Sequence, residues 1–357
     1  MALVLLSFIP LNAINENFIE YFDSSVDFRK DSDYVNDHLS GTGFIDYSLT
    51  TETSGVNEPE FLMKVGALTL WLRQQPEVVN VYTITDTFKR LNKNMHGDDE
   101  HWYRLPDQRN EAAQYLLLYE LSLPYGLDLN NQVNIDKSAT RVSVIIKNLS
   151  AREYIAFDQR VMSWMQDNTP QIASVGSGPT MMFSHISVNN TTSILASTLL
   201  ALASISVILV VALRSFSIGV ISLIPNLLPI GMAFGFWGLL NGEIGLGLSL
   251  VAATSLGIIV DDTVHFLSKY IRGRNQNRLA PAEAIRYAFT NVGDALAITS
   301  FALVIGFTTL SFSVFKLNSD MGLLTAVTLA LALLFDFLLL PALILQFDKR
   351  DVLAQTR

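Results

Sequence analysis

Three aspartates stand where charge is costly. Residues 244–260 hold no charged side chain and run directly into Asp261 and Asp262, while residues 321–347 hold Asp336 as their single charge. Moving a carboxylate into hydrocarbon costs several kcal/mol, so ionisable residues in such segments mark ion paths and proton relays. His265 lies four residues after Asp261 and three after Asp262, a spacing that lets all three share one face of a helix. A low dielectric and a second nearby carboxylate both disfavour ionisation. A carboxyl that loads a proton from an acidic outside and releases it towards the cytoplasm carries protons. Asp261, Asp262, His265 and Asp336 are therefore the candidate proton relay. A plainer reading stays open beside it: Asp261 and Asp262 hydrated near the cytoplasmic side or paired with Lys269, and Asp336 in an interhelical hydrogen bond.

Such residues need membrane helices to hold them. Half of the 357 residues are hydrophobic, 16% are charged, and none is cysteine; soluble domains average about 25% charged. Residues 1–190 carry 24 acidic and 14 basic side chains, whereas residues 191–357 carry 9 and 10. An acidic, water-soluble half precedes an apolar one. This excludes a single soluble domain, a nucleic-acid binder built on a basic surface and a cysteine-based disulfide or zinc scaffold. A bilayer core about 30 Å thick takes about 20 apolar helical residues. Uncharged runs at 194–213, 215–242 and 295–315 meet that length, and the two aspartate-bearing segments complete a set of five. The prediction is a membrane domain over 191–347, with helices at about 192–213, 216–240, 244–270, 294–315 and 321–347, then a tail at 348–357. By helical rise, Asp261 lies about 16 Å from Arg272 and Asp336 about 22 Å from Met321, both near the midplane.

Loop charges set an orientation. Arg214, then Lys269, Arg272, Arg274, Arg278 and Arg286, then Lys349, Arg350 and Arg357 fall on one side, and Lys316 alone on the other. Positive loops stay inside, so the tail is expected in the cytoplasm and residues 12–190 outside. Residues 1–11 are apolar, too short to span and without the basic start of a signal peptide. They are expected to be the remnant of a preceding transmembrane helix.

Residues 12–190 read as an α+β domain. Alternating strands are expected at 44–51, 78–85 and 140–147, with a short one at 171–175. Helices are expected at 58–73, 107–121 and from the Ser150-Ala-Arg-Glu153 capping box to about Asp167. The order is β-α-β twice, which fits ferredoxin-like packing of helices on one face of a sheet. His96 and His101 flank three acidic residues, but the spacing matches no zinc helix motif. No metal, cofactor or catalytic set is expected, and the chain does not read as an enzyme.

The second membrane segment contains Ile-Pro-Asn-Leu-Leu-Pro-Ile over 224–230, then Gly231, Gly235 and Gly238. Prolines free backbone carbonyls and bend membrane helices, and small residues let helices approach closely. Pro225, Asn226 and Pro229, with Gly257 on the third segment, are the candidate kink and gating positions. Ser300, Thr308 and Thr309 are within reach of hydrogen-bonding the carboxylates, and Asp294 is placed to start a helix.

The 224–230 motif, Gly257-Ile-Ile-Val-Asp261-Asp262-Thr-Val-His265 and the Ala284-Ile-Arg286…Val292-Gly293 stretch together resemble the resistance-nodulation-division (RND) superfamily. Within it the chain is most similar to the MMPL-type exporters, which are related to Patched and sterol-sensing domains. The opening of the soluble half, residues 15–22 followed by Gly41-Thr-Gly43, resembles such a family's porter domain. The resemblance implies proton-driven export of hydrophobic or lipid-like compounds from a bacterial inner membrane through a periplasmic porter domain. The family's relay aspartates fall on Asp261 and Asp262, and its proline-containing helix on Pro225 and Pro229. RND proteins carry two homologous six-helix halves, and this chain resembles the second. The expected partners are therefore an N-terminal half or a second protomer, membrane lipids or a hydrophobic substrate, and periplasmic proteins, with no nucleic acid. The alternative is a lipid-sensing or scaffolding protein of the same fold without transport.

Overall fold

The computed structural model describes residues 2–124, 128–212, 216, 219 and 222–348. Arg214, Lys349, Arg350, Arg357 and the tail beyond Asp348 lie outside the described residues. The chain forms two compact units, one of residues 27–186 and one of residues 1–26 with 187–357. A short apolar helix α1 (Ala2–Leu6) and a two-residue strand β1 (Ala13–Ile14) open the second of these.

The 27–186 unit runs α2 (Asp27–His38), β2 (Gly43–Thr50), α3 (Pro59–Arg73), β3 (Val78–Tyr82), α4 (Ile84–Met95), α5 (Arg109–Ser122), β4 (Ala139–Ile146), α6 (Ala151–Asn168) and β5 (Gly176–Ser177). Its four strands lie in the order β3-β4-β2-β5, every neighbour antiparallel. Alternation decides which side is buried: Ile45, Tyr47 and Leu49 of β2 and Val142, Val144 and Ile146 of β4 face one core. The apolar stripes of α3 (Phe61, Leu62, Val65, Leu68, Leu72) and α6 (Tyr154, Phe157, Val161, Met165) complete it. At the start of α6 the Glu153 carboxylate accepts from both the backbone and the hydroxyl of Ser150. Burial, and behind it the charge of Asp158, holds the Tyr47 hydroxyl well above the usual tyrosine range, so it stays a donor to that carboxylate.

Three elements differ from the sequence expectation. Residues 171–175 form no strand: Pro170–Ile172 is a 3₁₀ turn, and the edge strand moves on to Gly176–Ser177. There the Gly176 N–H donates to Asp158, and a Cβ at Gly176 would lie 2.4 Å from that carboxylate. The third strand ends at Tyr82, because the Thr83 side chain accepts from the Thr85 N–H and caps α4. Helix α2 has no buried residue, so no apolar stripe announced it.

The other unit continues with α7 (Pro179–Ala212), whose first turns belong to the 27–186 unit, then α8 (Leu223–Leu240), β6 (Glu243–Ile244), α9 (Leu246–Asn275), α10 (Pro281–Ala288), α11 (Asp294–Leu310) and α12 (Lys316–Phe347). A π-helical turn, Phe289–Gly293, joins α10 to α11 without a break. Asp294 therefore sits inside a continuous helix, not at the N-terminus expected for it. Among the described residues five helices are long and apolar enough to cross a membrane: α7, α8, α9, α10 with α11, and α12. The chain is a multi-pass membrane protein.

The expected domain start at residue 12 shifts to Asp27, because residues 12–26 are laced onto the membrane helices. Asn12 Nδ2 donates to Phe234 O at 2.9 Å, β1 pairs in parallel with β6, and Asp23 N donates to Val314 O at 2.9 Å. Helix α1 lies on the glycine face of α8. A Cβ added at Gly231 would meet the Leu6 side chain at 2.6 Å, and one at Gly235 would meet the Leu5 carbonyl at 1.9 Å. Gly235→Leu should therefore expel residues 2–11 and destabilise the unit by about 1–3 kcal/mol. The chain has no cysteine, so a thiol reagent can report this. Leu5→Cys should label faster with Gly235→Leu than without it, and equal rates would refute the packing argument.

Candidate functional site

Helices α8, α9 and α12 bring together a cluster of buried polar groups, Asn226, Thr263 and Asp336. On α9 the residues facing the bundle recur at the helical period: Ser255, Ile259, Thr263, Phe266 and Tyr270. That row places Thr263 against α8 and α12. Its hydroxyl lies 2.6 Å from Asn226 Oδ1 on α8 and 3.1 Å from Asp336 Oδ1 on α12. Asn226 and Thr263 are fully buried and Asp336 is 5% exposed. Thr263 was not among the sequence candidates. What marks it is its place in the buried row, four residues after Ile259, and not a charge.

Asp262 turns the other way around α9 and is half-buried, where the Ser300 hydroxyl of α11 donates to its Oδ2 at 3.0 Å. Two carboxyls from different helices are thus each met by a hydroxyl of a neighbouring helix. Thr308 and Thr309 take no part: both are exposed, and Thr309 bonds back to Ile305 O.

Asp261 and His265 lie on a different face. They approach each other to 3.5 Å, with side chains 72% and 62% exposed. Adjacent helical residues point about 100° apart, so the four expected relay residues divide. Asp262 and Asp336 face the bundle, whereas Asp261 and His265 face out. Gly257 belongs to the outward stripe, and a Cβ there would meet nothing within 4 Å. Helix α9 continues through it from Leu246 to Asn275. A groove lined by Gly257, Asp261, Asp262, His265, Leu296 and Thr299 connects the two faces.

The two prolines of α8 are both buried but unequal. Pro225 falls in the first turn, where its missing N–H removes no intrahelical bond. Pro229 is inside the helix and leaves the carbonyl of residue 225 without its usual donor. Asn226, next to that position, has its Oδ1 on Thr263 and its Nδ2 buried without a partner.

Two further polar clusters fix the ends of these helices. Glu16, 6% exposed, accepts from the Tyr21 hydroxyl, the Ser187 hydroxyl and the Leu246 N–H at the start of α9. Burial first, and then Glu16, pushes the Tyr21 hydroxyl above the usual tyrosine range, so it remains a donor. At the far end, Asp348 accepts from Arg274 Nε at 3.0 Å and from Tyr270 OH at 2.6 Å, which ties α9 to the end of α12. Among the described residues no group of three or more His, Asp or Glu converges for a metal. His96 stacks on Trp102 while His101 pairs with Asp99.

A family model described as the MMPL family matches residues 88–357. The chain is also 25% identical over 156 residues to a protein of Methanocaldococcus jannaschii named "Putative membrane protein MJ1562". That stretch covers 44% of this chain and 40% of the relative.

Proposed function

The chain belongs to the MMPL family, and from that premise we propose that it is one half of an exporter driven by the proton-motive force, moving a hydrophobic or lipid-like substrate. The observation that carries this reading is the pair of carboxyls on the membrane helices, half-buried Asp262 and buried Asp336, each met by a hydroxyl from a neighbouring helix. Structural hydrogen bonding alone needs no carboxylate there: a neutral amide would serve at far lower cost in hydrocarbon. Each proton that crosses releases about 2.3 kcal/mol per 100 mV of membrane potential. Binding and release of protons at these sites would bias two arrangements of the helices, and substrate would move as their populations shift.

In this reading the membrane is the bacterial inner membrane, with the basic loops and tail in the cytoplasm. The 27–186 unit stands outside as a ferredoxin-like porter domain, supported by its strand order β3-β4-β2-β5. The chain acts as a transporter and not as an enzyme. Asp261 and His265, exposed on the flank of a membrane helix, are covered by a homologous half or a second protomer, since lipid is a poor neighbour for both. Periplasmic proteins would accept the substrate.

The test is proton flux into liposomes holding the protein under an inward proton gradient. Wild type should show flux and Asp262→Asn should not. Wild-type vesicles that bind lipid but pass no protons, with or without a homologous half, would instead favour a lipid sensor or scaffold.

A further inference from the structure

The buried contact between Asn226, Thr263 and Asp336 has an imbalance of protons that restricts what it can be. Thr263 has one hydroxyl hydrogen and two acceptor atoms in reach, Asn226 Oδ1 at 2.6 Å and Asp336 Oδ1 at 3.1 Å. Neither is exposed enough for water to substitute: Asn226 and Thr263 are fully buried and Asp336 is 5% exposed. On the other side of the same amide, Asn226 Nδ2 is buried with no acceptor. A buried polar group without a partner is destabilising, so this arrangement needs a reason.

Two proton arrangements run along the line of three groups in opposite directions, one with the Asp336 proton on Oδ1 and one with that carboxyl ionised. In the first, Asp336 is protonated and donates to Thr263 Oγ1, and Thr263 donates on to Asn226 Oδ1. The short Thr263–Asn226 contact matches this one, since amide oxygen and hydroxyl oxygen need a hydrogen between them. In the second, Asp336 is ionised and draws the Thr263 hydrogen to itself. Asn226 Oδ1 then loses its donor and faces the Thr263 lone pairs. The amide relieves this by rotating about its last side-chain bond, which turns Nδ2 from its empty side onto Thr263 Oγ1. Nδ2 gains the acceptor it lacks, Oδ1 takes over the unpartnered side, and every hydrogen on the line points the other way. Thr263 and Asn226 keep their own protons throughout. The proton exchanged is the one on the Asp336 carboxyl, which goes to or comes from water.

We infer that Thr263 is a two-position hydrogen-bond switch through which the protonation of Asp336 on α12 sets the orientation of the Asn226 amide on α8. This rests on the proton-carrying role proposed for Asp336 and adds the positioning residues that would convert its titration into a change at the proline-containing helix. Asn226 stands between Pro225 and Pro229, where the helix already lacks one backbone bond. A rotated amide there acts on the part of α8 least held by its own hydrogen bonds. The two arrangements differ by discrete hydrogen bonds and not by a graded displacement, as a coupled two-state device requires.

Few other groups can interfere. On α9, Asp262 is half-buried next to Thr263, while Asp261 and His265 are exposed. Helix α8 carries no charge, and Glu283 and Arg286 of α10 and Asp294 of α11 are exposed.

Infrared difference spectroscopy on the reconstituted full chain, stepped in pH, reads both ends of the switch. The wild type should show a protonated-carboxyl C=O band that Asp336→Asn removes, and with it a side-chain amide change that Asn226→Leu removes. Thr263→Val keeps the shape and deletes the hydroxyl. It should move the carboxyl band to the frequency of a carboxyl without a partner, shift its midpoint by about one pH unit and abolish the amide change. Thr263→Ser should restore all three, which a purely space-filling threonine would not require. A Thr263→Val spectrum identical to wild type would overturn the switch, and so would the lack of any band assigned to Asp336. The readout is independent of transport. Switching without flux would leave this inference standing and remove the pump, and flux without switching would do the reverse.

Discussion

Asp336→Asn is expected to reduce proton flux in liposomes to the level of vesicles without protein while the protein unfolds at no lower temperature than wild type. The carboxyl sits 5% exposed between Thr263 and the helices around it, and asparagine has the same size and offers the threonine hydroxyl either an acceptor or a donor. What the substitution removes is the capacity to bind and release a proton. Because the amide also spares the bundle a buried ionisable group, stability is unchanged or improved. A structural aspartate would give the opposite pattern, with flux retained and stability lost. Asp336→Leu separates the contributions further, since it deletes the acceptor beside Thr263 as well and should lower the unfolding temperature. Asp261→Asn tests the outward stripe in the same assay. Loss of flux there, with Asp262→Asn and Asp336→Asn both active, would move the working carboxyl to the face that a second half covers.

How far the sequence reaches this site depends on which signal each residue leaves. Asp262 and Asp336 stand out because a charge in an apolar run is costly and therefore visible. Ser300 is legible as a hydroxyl on the next apolar segment, and it meets Asp262. Thr263 left no such signal: threonine is common between membrane helices, and only the buried row Ser255, Ile259, Thr263 marks it. The split between Asp261 and Asp262 was likewise invisible, because i+3 and i+4 spacing from His265 permits a shared face without requiring one. In the fold, alternating and periodic segments such as β2, β4, α3 and α6 were legible because burial follows their period. The polar helix α2 and the threonine cap that turns 83–85 into α4 were not, since both depend on local hydrogen bonds and not on apolar pattern. The attachment of residues 12–26 to the membrane helices depends on pairings more than 200 residues apart in sequence, such as Ala13 with Glu243, and no local reading finds those.

Glu16→Ala should be among the most destabilising single substitutions outside the membrane core, at about 3 kcal/mol, while Glu16→Gln should cost about 1 kcal/mol. The carboxylate takes three donors from three parts of the chain: the Tyr21 hydroxyl and the Leu246 N–H on Oε1, and the Ser187 hydroxyl on Oε2. Alanine leaves all three without an acceptor in a site that is 6% exposed. It also removes the negative charge from the N-terminus of α9, where a carboxylate is favoured. Glutamine behaves differently because the donors are not equivalent. A backbone N–H cannot reverse, so the amide oxygen must take the Oε1 place, where it still accepts from Leu246 and Tyr21. The amide nitrogen then faces Ser187, whose hydroxyl can turn and accept. Only the charge is lost. Denaturant unfolding in detergent measures the difference, and limited proteolysis at residues 13–26 locates it, because that segment is released first when its anchor is gone. Equal stabilities for the two variants would mean that the charge, and not the geometry of the three donors, holds the N-terminal segment to α7 and α9.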